Sequence, residues 1–251
     1  MSVISETMRK EYQTNGFVRV NSAIDLETVH LLRDEWSALW QSIDLTNPPR
    51  FVHWRDKEDG SRVADRLDPV HTQSAVFRNL CESPAIRSHA ELLLGGSVFV
   101  LKDKLISKKP GTTGYGAHQD MPYWETSGLS ADDVLTVAIS LDEVSVDHGP
   151  IELFAGRHRS RLEADSSGLD LSEAALKSIG TGYPALMSSG DALYFHSLVP
   201  HRSGTNQADT ARRLYLITFA RDSGNKEQAL RAYQNDLARV HTAHQKEKPI
   251  S

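Results

Sequence analysis

Apolar residues at Val29, Leu32, Trp36, Leu39 and Trp40 follow an acidic Asp25 at spacings of three and four, which predicts a helix with one buried face. Ahead of it, SETMRKEYQTNG reads as a short helix closed by Asn15 and Gly16, a pair that tolerates the left-handed conformation at which helices stop. FVRV then alternates as a short strand. Residues 45–70 mix Pro, Gly and many charges without a clean period, so they read as a long irregular loop of the kind that forms lids. SAVFRNLCESPAIRSHAELLLG predicts two helices broken near Ser83 and Pro84.

Beyond Gly96 the pattern changes. SVFVLKDKLISKKPG, VLTVAISLDEV, GPIELFAGRHR, GDALYFHSLVPHRSG and RRLYLITFA are strand-like runs bounded by Gly, Pro, Asp or Asn. The stretch from 160 to 181, containing SEAALKSIG, reads as a helical insertion between strands. A helical front half and a β-rich back half predict an antiparallel barrel or sandwich covered by helices. At 251 residues one domain over 1–251 is expected, with a helical part to about residue 95, a β core over about 96–222 and a C-terminal helix over about 223–245.

Charge and cysteine content mainly exclude. The net charge is -5 and no run of Lys or Arg forms a phosphate-tracking stripe, so nucleic acid is not an expected partner. Cys81 is the only cysteine, which rules out an internal disulfide and fits a reducing compartment, here the cytoplasm. MSVISETMRKEYQ has no apolar signal core and no eighteen-residue apolar run occurs, so neither export nor a membrane span is expected. A monomer or homodimer acting on a small molecule is the expectation.

The candidate chemistry begins at GYGAHQDMPYW, residues 114–124. On an extended segment, side chains two apart share a face, so His118 and Asp120 can grip one ion together. An HxD alone is weak, and the third ligand must come from elsewhere. His201 in PHRSGTN is the candidate, with His196 its rival. Two imidazoles and a carboxylate on one face leave three open positions, which suits non-haem Fe(II) and oxygen chemistry. Such a site needs a chelating co-substrate anchored by a cation, and Arg212 and Arg213 follow one strand onward. Apolar residues alternate to both faces after them, so periodicity does not choose between the two.

HQD at 118–120, HRSGTN at 201–206 and an arginine eleven positions after His201 together resemble the phytanoyl-CoA dioxygenase family of iron(II)- and 2-oxoglutarate-dependent oxygenases. The resemblance extends to EYQTNGFVRVNSAIDLETVHLLRDE, to KKPG before the triplet and to HGPIELFAGRHR, and so covers nearly the whole chain. It implies a fold that is mainly β with flanking helices: a double-stranded β-helix, or cupin-like jelly roll. It also implies Fe(II) on His118, Asp120 and His201, with 2-oxoglutarate and O2 as co-substrates and succinate and CO2 released. Arg212 takes the position of the family's anchoring arginine and Ser203 that of the hydroxyl touching the same carboxylate. Phe195 walls that pocket, and Ser107 and Lys104 on the preceding strand are further candidates to reach 2-oxoglutarate.

Departures from the family pattern are Arg202, where Gly is common, and AGRHR in place of PGSHR at 155–159; neither is a ligand position. Asp120 is retained, which argues against a halogenase. Met121, Tyr123 and Trp124 read either as a substrate wall or as core. Arg66, with Arg55 and Trp54, reads either as a lid over an anionic substrate or as a solvated loop. His148, His158 and His196 are given structural or surface roles. The implied activity is oxidation of an unactivated C–H bond in a small polar or anionic metabolite, such as a phosphonate or amino-acid derivative. A cupin-like divalent-metal hydrolase or isomerase, and a small-molecule binding protein without turnover, are the alternatives.

Overall fold

The computed structural model describes residues 5–166 and 170–245. In chain order its elements are α1 (Glu6–Asn15), β1 (Phe17–Val20), α2 (Leu26–Ser42), β2 (Val52–Asp56), β3 (Arg62–Leu67), α3 (Ala75–Glu82) and α4 (Pro84–Leu94). There follow β4 (Val98–Lys108), β5 (Tyr115–His118), β6 (Val134–Ser140), β7 (Ile151–Leu153), α5 (Glu173–Ser178) and β8 (Tyr183–Pro184). The chain ends with β9 (Ala192–His196), β10 (His201–Ser203), β11 (Arg212–Arg221) and α6 (Lys226–Gln245).

Two antiparallel sheets form the jelly roll that the β-rich back half predicts. The larger runs β1-β9-β6-β11-β4-β3-β2 and the smaller β5-β10-β7-β8. Strand alternation divides the core into layers. Leu214 and Leu216 of β11 pack between the sheets with Ile106, Ile151, Leu153 and Phe195. Tyr215, Ile217 and Phe219 point the other way and pack under the helices with Leu32, Phe77 and Ile86. Both faces of β11 are therefore apolar because both are covered.

The helical half follows its local signals. Asp25 Oδ1 accepts the Thr28 amide at 2.7 Å and starts α2, and Val29 and Leu32 are buried beneath it. Gly16 closes α1 at φ 85°, its amide donating to Tyr12 O at 2.8 Å. The break between α3 and α4 falls at Ser83, with Pro84 opening the second helix. Within 160–181 the helix is the short α5.

Residues 45–70 differ from the sequence expectation of an irregular loop. They contain the hairpin β2–β3, which extends the large sheet, with Val52 opposite Leu67 and Trp54 opposite Ala64. The charged residues that hid the alternation are inside the strands. Asp65 is buried within 3.8 Å of Arg55, and Arg62 meets Asp56 at 2.8 Å. Composition suggested solvent, whereas these charges are paired within the sheet. Trp54 packs against the core cluster beneath the helices. Among the described residues no helix is long and apolar enough to cross a membrane.

Candidate active site

His118 and His201 are cross-strand partners on β5 and β10, with ring centroids 4.3 Å apart. His118 is the last residue of β5, and Asp120 already has helical backbone angles at the head of a 3-10 turn over Met121–Ser127. The convergence of His118 and Asp120 thus comes from a strand end folding into a turn, and not from extended alternation. Asp120 Oδ1 lies 3.8 Å from Nε2 of each imidazole. Ligand atoms of all three residues fall within 4.8 Å of one another.

Each ring is held by its other nitrogen. His118 Nδ1 donates to Gly116 O at 2.8 Å and His201 Nδ1 to Val199 O at 3.0 Å. A carbonyl only accepts, so each ring carries a proton on Nδ1 and turns its Nε2 toward the shared carboxylate. Burial, with His118 beside it, pushes His201 down to about 4, which keeps it neutral. Burial alone would raise Asp120, but His201, His118, Lys104 and the Thr136 hydroxyl outweigh it and hold the carboxyl below its ordinary range. Thr136 Oγ1 donates to Asp120 Oδ2 at 3.0 Å. These residues fit a divalent ion of the iron type with three coordination positions left open.

Gln119, between the two ligands, is buried and pins the loop: Nε2 donates to Leu198 O at 2.7 Å and Oε1 accepts from Leu162 N at 2.8 Å. Gly114 is required by close approach, because a Cβ there would sit 1.7 Å from Ser203 O. Gly114→Ala is expected to force β5 and β10 apart, costing about 1–3 kcal/mol and lowering iron content with it. Denaturant melts and metal analysis check this, and wild-type values for both would refute the packing argument.

Beside the triad a cleft is lined by Lys104, Phe195, Ser203, Arg212, Leu214 and Leu216, among others. Phe195 stands 4.9 Å from the His201 ring. Arg212 shares the inward face of β11 with Leu214 and Leu216 and is 2% exposed. Its Nε donates to His148 O at 3.2 Å and its Nη2 to Gly149 O at 3.0 Å. Burial pushes it down to about 10, still charged at neutral pH. Arg213 points outward, with bonds of 2.8 and 2.6 Å to Asp142.

Lys104 is on the cleft face of β4, but Ser107 is not. Three residues apart on a strand means opposite faces. Ser107 sits across from Arg213 and has no hydrogen-bond partner for its buried hydroxyl. The polar residue of β4 that reaches Ser203 is Lys108, whose Nζ donates to Ser203 Oγ at 2.9 Å. Sequence reasoning missed it, although Lys104, Ile106 and Lys108 share one parity.

The 3-10 turn also sorts the aromatic segment. With three residues per turn, Met121 and Trp124 share a face. Both pack into an apolar cluster with Phe99 and Leu129, and the Trp124 ring lies 6.0 Å from Tyr233 of α6. Tyr123 stays at the site, edge-on to His118 at 6.0 Å. Arg66 of β3 is opposite cleft-lining Ile106. Arg55 lies 3.7 Å over the Tyr115 ring. His196 bonds Asp132 at 3.1 Å and stands outside the ligand set. His158 packs against His196 at 5.4 Å, and His148 Nδ1 bonds Ser145.

A family model described as phytanoyl-CoA dioxygenase matches residues 12–214. A 2-aminoethylphosphonate dioxygenase from an uncultured bacterium, HF130_AEPn_1, is 23% identical over 222 residues, covering 88% of this chain and 83% of the relative. An L-proline trans-4-hydroxylase of Streptomyces griseoviridis is 30% identical over 187 residues, covering 65% and 70% respectively. The crystal structure of EctD from S. alaskensis with 2-oxoglutarate and 5-hydroxyectoine superimposes with a TM-score of 0.75 at 18% identity, covering 88% of this chain and 77% of that one. With a family match over most of its length and a His-Asp-His triad in the matching fold, the chain belongs to the phytanoyl-CoA dioxygenase family and is an iron(II)- and 2-oxoglutarate-dependent dioxygenase.

Proposed function

We propose that the enzyme oxidises a C–H bond of a small metabolite carrying a carboxylate or phosphonate, with iron held by His118, Asp120 and His201 and 2-oxoglutarate by Arg212 and Ser203. The observation that carries the substrate class is the surplus of positive charge at the cleft. Lys102 Nζ takes Asp68 at 2.9 Å, and Arg55 lies 3.8 Å from Asp65. Arg66 is left 3.9 Å from an Asp68 already bonded to Lys102, and Lys104 has no carboxylate within 4.0 Å among the described residues. Burial and the neighbouring Lys102 push Lys104 down to about 8, a strain that an incoming anion relieves. The relatives named for 2-aminoethylphosphonate and L-proline, both small molecules bearing an anionic acid group, support the same class. The hydrolase and non-catalytic readings use the triad but leave buried Arg212 and Lys108 without a purpose.

Iron with 2-oxoglutarate and dioxygen supplies the oxidising power, with succinate and carbon dioxide as by-products. The chain's own part is placement and dryness. The Gly116 and Val199 carbonyls aim the imidazoles, Thr136 fixes Asp120, and Phe195, Leu214 and Leu216 keep water from the cleft. Arg66 and Lys104 orient the substrate's anionic end.

The test is a succinate-release screen over amino acids and phosphonates, with product mass raised by one oxygen. An acid is expected to turn over while its neutral ester or amide does not; equal rates for the two would reject the substrate class. Arg66→Ala is expected to raise the substrate KM about 10- to 100-fold, the loss of one charge-assisted contact, with 2-oxoglutarate affinity changed far less.

A further inference from the structure

Lys108 is 1% exposed and sits directly across from Arg212 in the β4–β11 register. Two buried basic side chains are thus side by side, and among the described residues neither has a carboxylate within 4.0 Å. The charged and titratable groups around Lys108 are Arg212 of β11, Arg55 of β2 and Asp65 of β3, the last already turned to Arg55. Lys108 Nζ faces three oxygens: Ser203 Oγ at 2.9 Å, Gly149 O at 3.3 Å and Gly204 O. Ser203 Oγ also accepts the Tyr115 amide at 3.2 Å.

Donor counting links these groups. An ammonium has three N–H bonds, one for each oxygen. Ser203 then has both lone pairs occupied, by Lys108 and by Tyr115, and its hydroxyl proton is left to donate into the cleft. A neutral amine has two N–H bonds and one lone pair. The two carbonyls only accept and take both N–H bonds, so the lone pair faces Ser203 and draws the hydroxyl proton onto itself. The protonation of Lys108 therefore sets which way Ser203 donates.

We propose that Lys108 is a positioning residue that takes up a proton as the distal carboxylate of 2-oxoglutarate enters beside Arg212, and thereby turns the Ser203 hydroxyl toward that carboxylate. The proton comes from solvent, and no covalent bond other than N–H is formed. Burial, with Arg212 and Arg55 nearby, pushes Lys108 down to about 6, so the free enzyme holds it neutral above that pH. An arriving negative charge raises it. The inference rests on the co-substrate assignment in the proposed function.

The test is calorimetry of 2-oxoglutarate binding to the iron(II)-loaded protein without oxygen, in buffers of different ionisation enthalpy. Wild type is expected to take up about one proton at pH 7.5 and about half at pH 6, with affinity falling about tenfold per pH unit above about 6.5. Lys108→Arg, permanently charged, and Lys108→Met, never charged, are expected to abolish this uptake and flatten the affinity profile. Binding without proton uptake in wild type, or undiminished uptake in both variants, overturns the proposal and leaves the co-substrate assignment standing. No binding of 2-oxoglutarate to iron-loaded wild type overturns both.

Discussion

Asp120→Ala is expected to leave a folded protein that neither retains iron nor turns over. Its Oδ1 is 3.8 Å from both Nε2 atoms, so it is the carboxylate the two imidazoles share. Without it two imidazoles remain and no anionic ligand offsets the dication. Replacing a group that merely orients a ligand already costs about 10- to 100-fold in metal affinity; removal of the charged ligand itself is expected to exceed that range. Thr136→Val is the graded control. It removes the 3.0 Å bond to Oδ2, along with a 3.1 Å contact to the Thr218 hydroxyl that lies off the ligand set, and should fall within the 10- to 100-fold range while keeping residual turnover. Iron content after desalting and succinate release are the readouts. An Asp120→Ala protein with full iron and wild-type rate would refute the assignment, and a Thr136→Val protein worse than Asp120→Ala would invert the hierarchy.

The parts of this site that the sequence revealed share one property: their residue types are unusual for their setting. An imidazole and a carboxylate two apart between Gly and aromatics, and a histidine after the apolar run DALYF, stand out against a β-rich background. What stayed hidden was hidden by parity and by pairing. Lys104, Ser107 and Lys108 are all polar on one strand, and only the register of β4 against β11 shows that 104 and 108 face the cleft while 107 turns away. Met121 and Trp124 looked like neighbours of the iron because they follow Asp120. The 3-10 turn carries them to α6 and leaves Tyr123 behind. Residues 45–70 looked like loop because their charges were read as solvated. Arg55 with Asp65 and Arg62 with Asp56 pair across the hairpin, so a strand pair was present without a hydrophobic alternation to announce it. Thr136, a hydroxyl in the middle of the apolar run VLTVAIS, was a signal of an outer ligand partner available in the sequence.

Arg212→Ala is expected to raise the 2-oxoglutarate KM by about 100-fold or more, because loss of a buried charge partner costs about 2–5 kcal/mol, while iron content stays near that of wild type. The side chain touches no metal ligand, and its present bonds go only to the His148 and Gly149 carbonyls. Gly149 O keeps Lys108 as a donor after the truncation, and a buried cation with no acid beside it is removed, so little stability should be lost. Arg213→Ala provides the contrast on the opposite face of the same strand. It breaks a two-point pair with Asp142 and a stacking contact 5.0 Å from the Trp36 ring. That variant should lose about 1–3 kcal/mol of stability and keep its 2-oxoglutarate KM within about twofold, since β11 alternation puts its charge outside the cleft. The two phenotypes are thus expected to separate cleanly, co-substrate binding with Arg212 and folding with Arg213. An exchange of the two would mean that the register of β11 against β4 is shifted by one residue, and would move Lys108 out of the anchoring pocket with it.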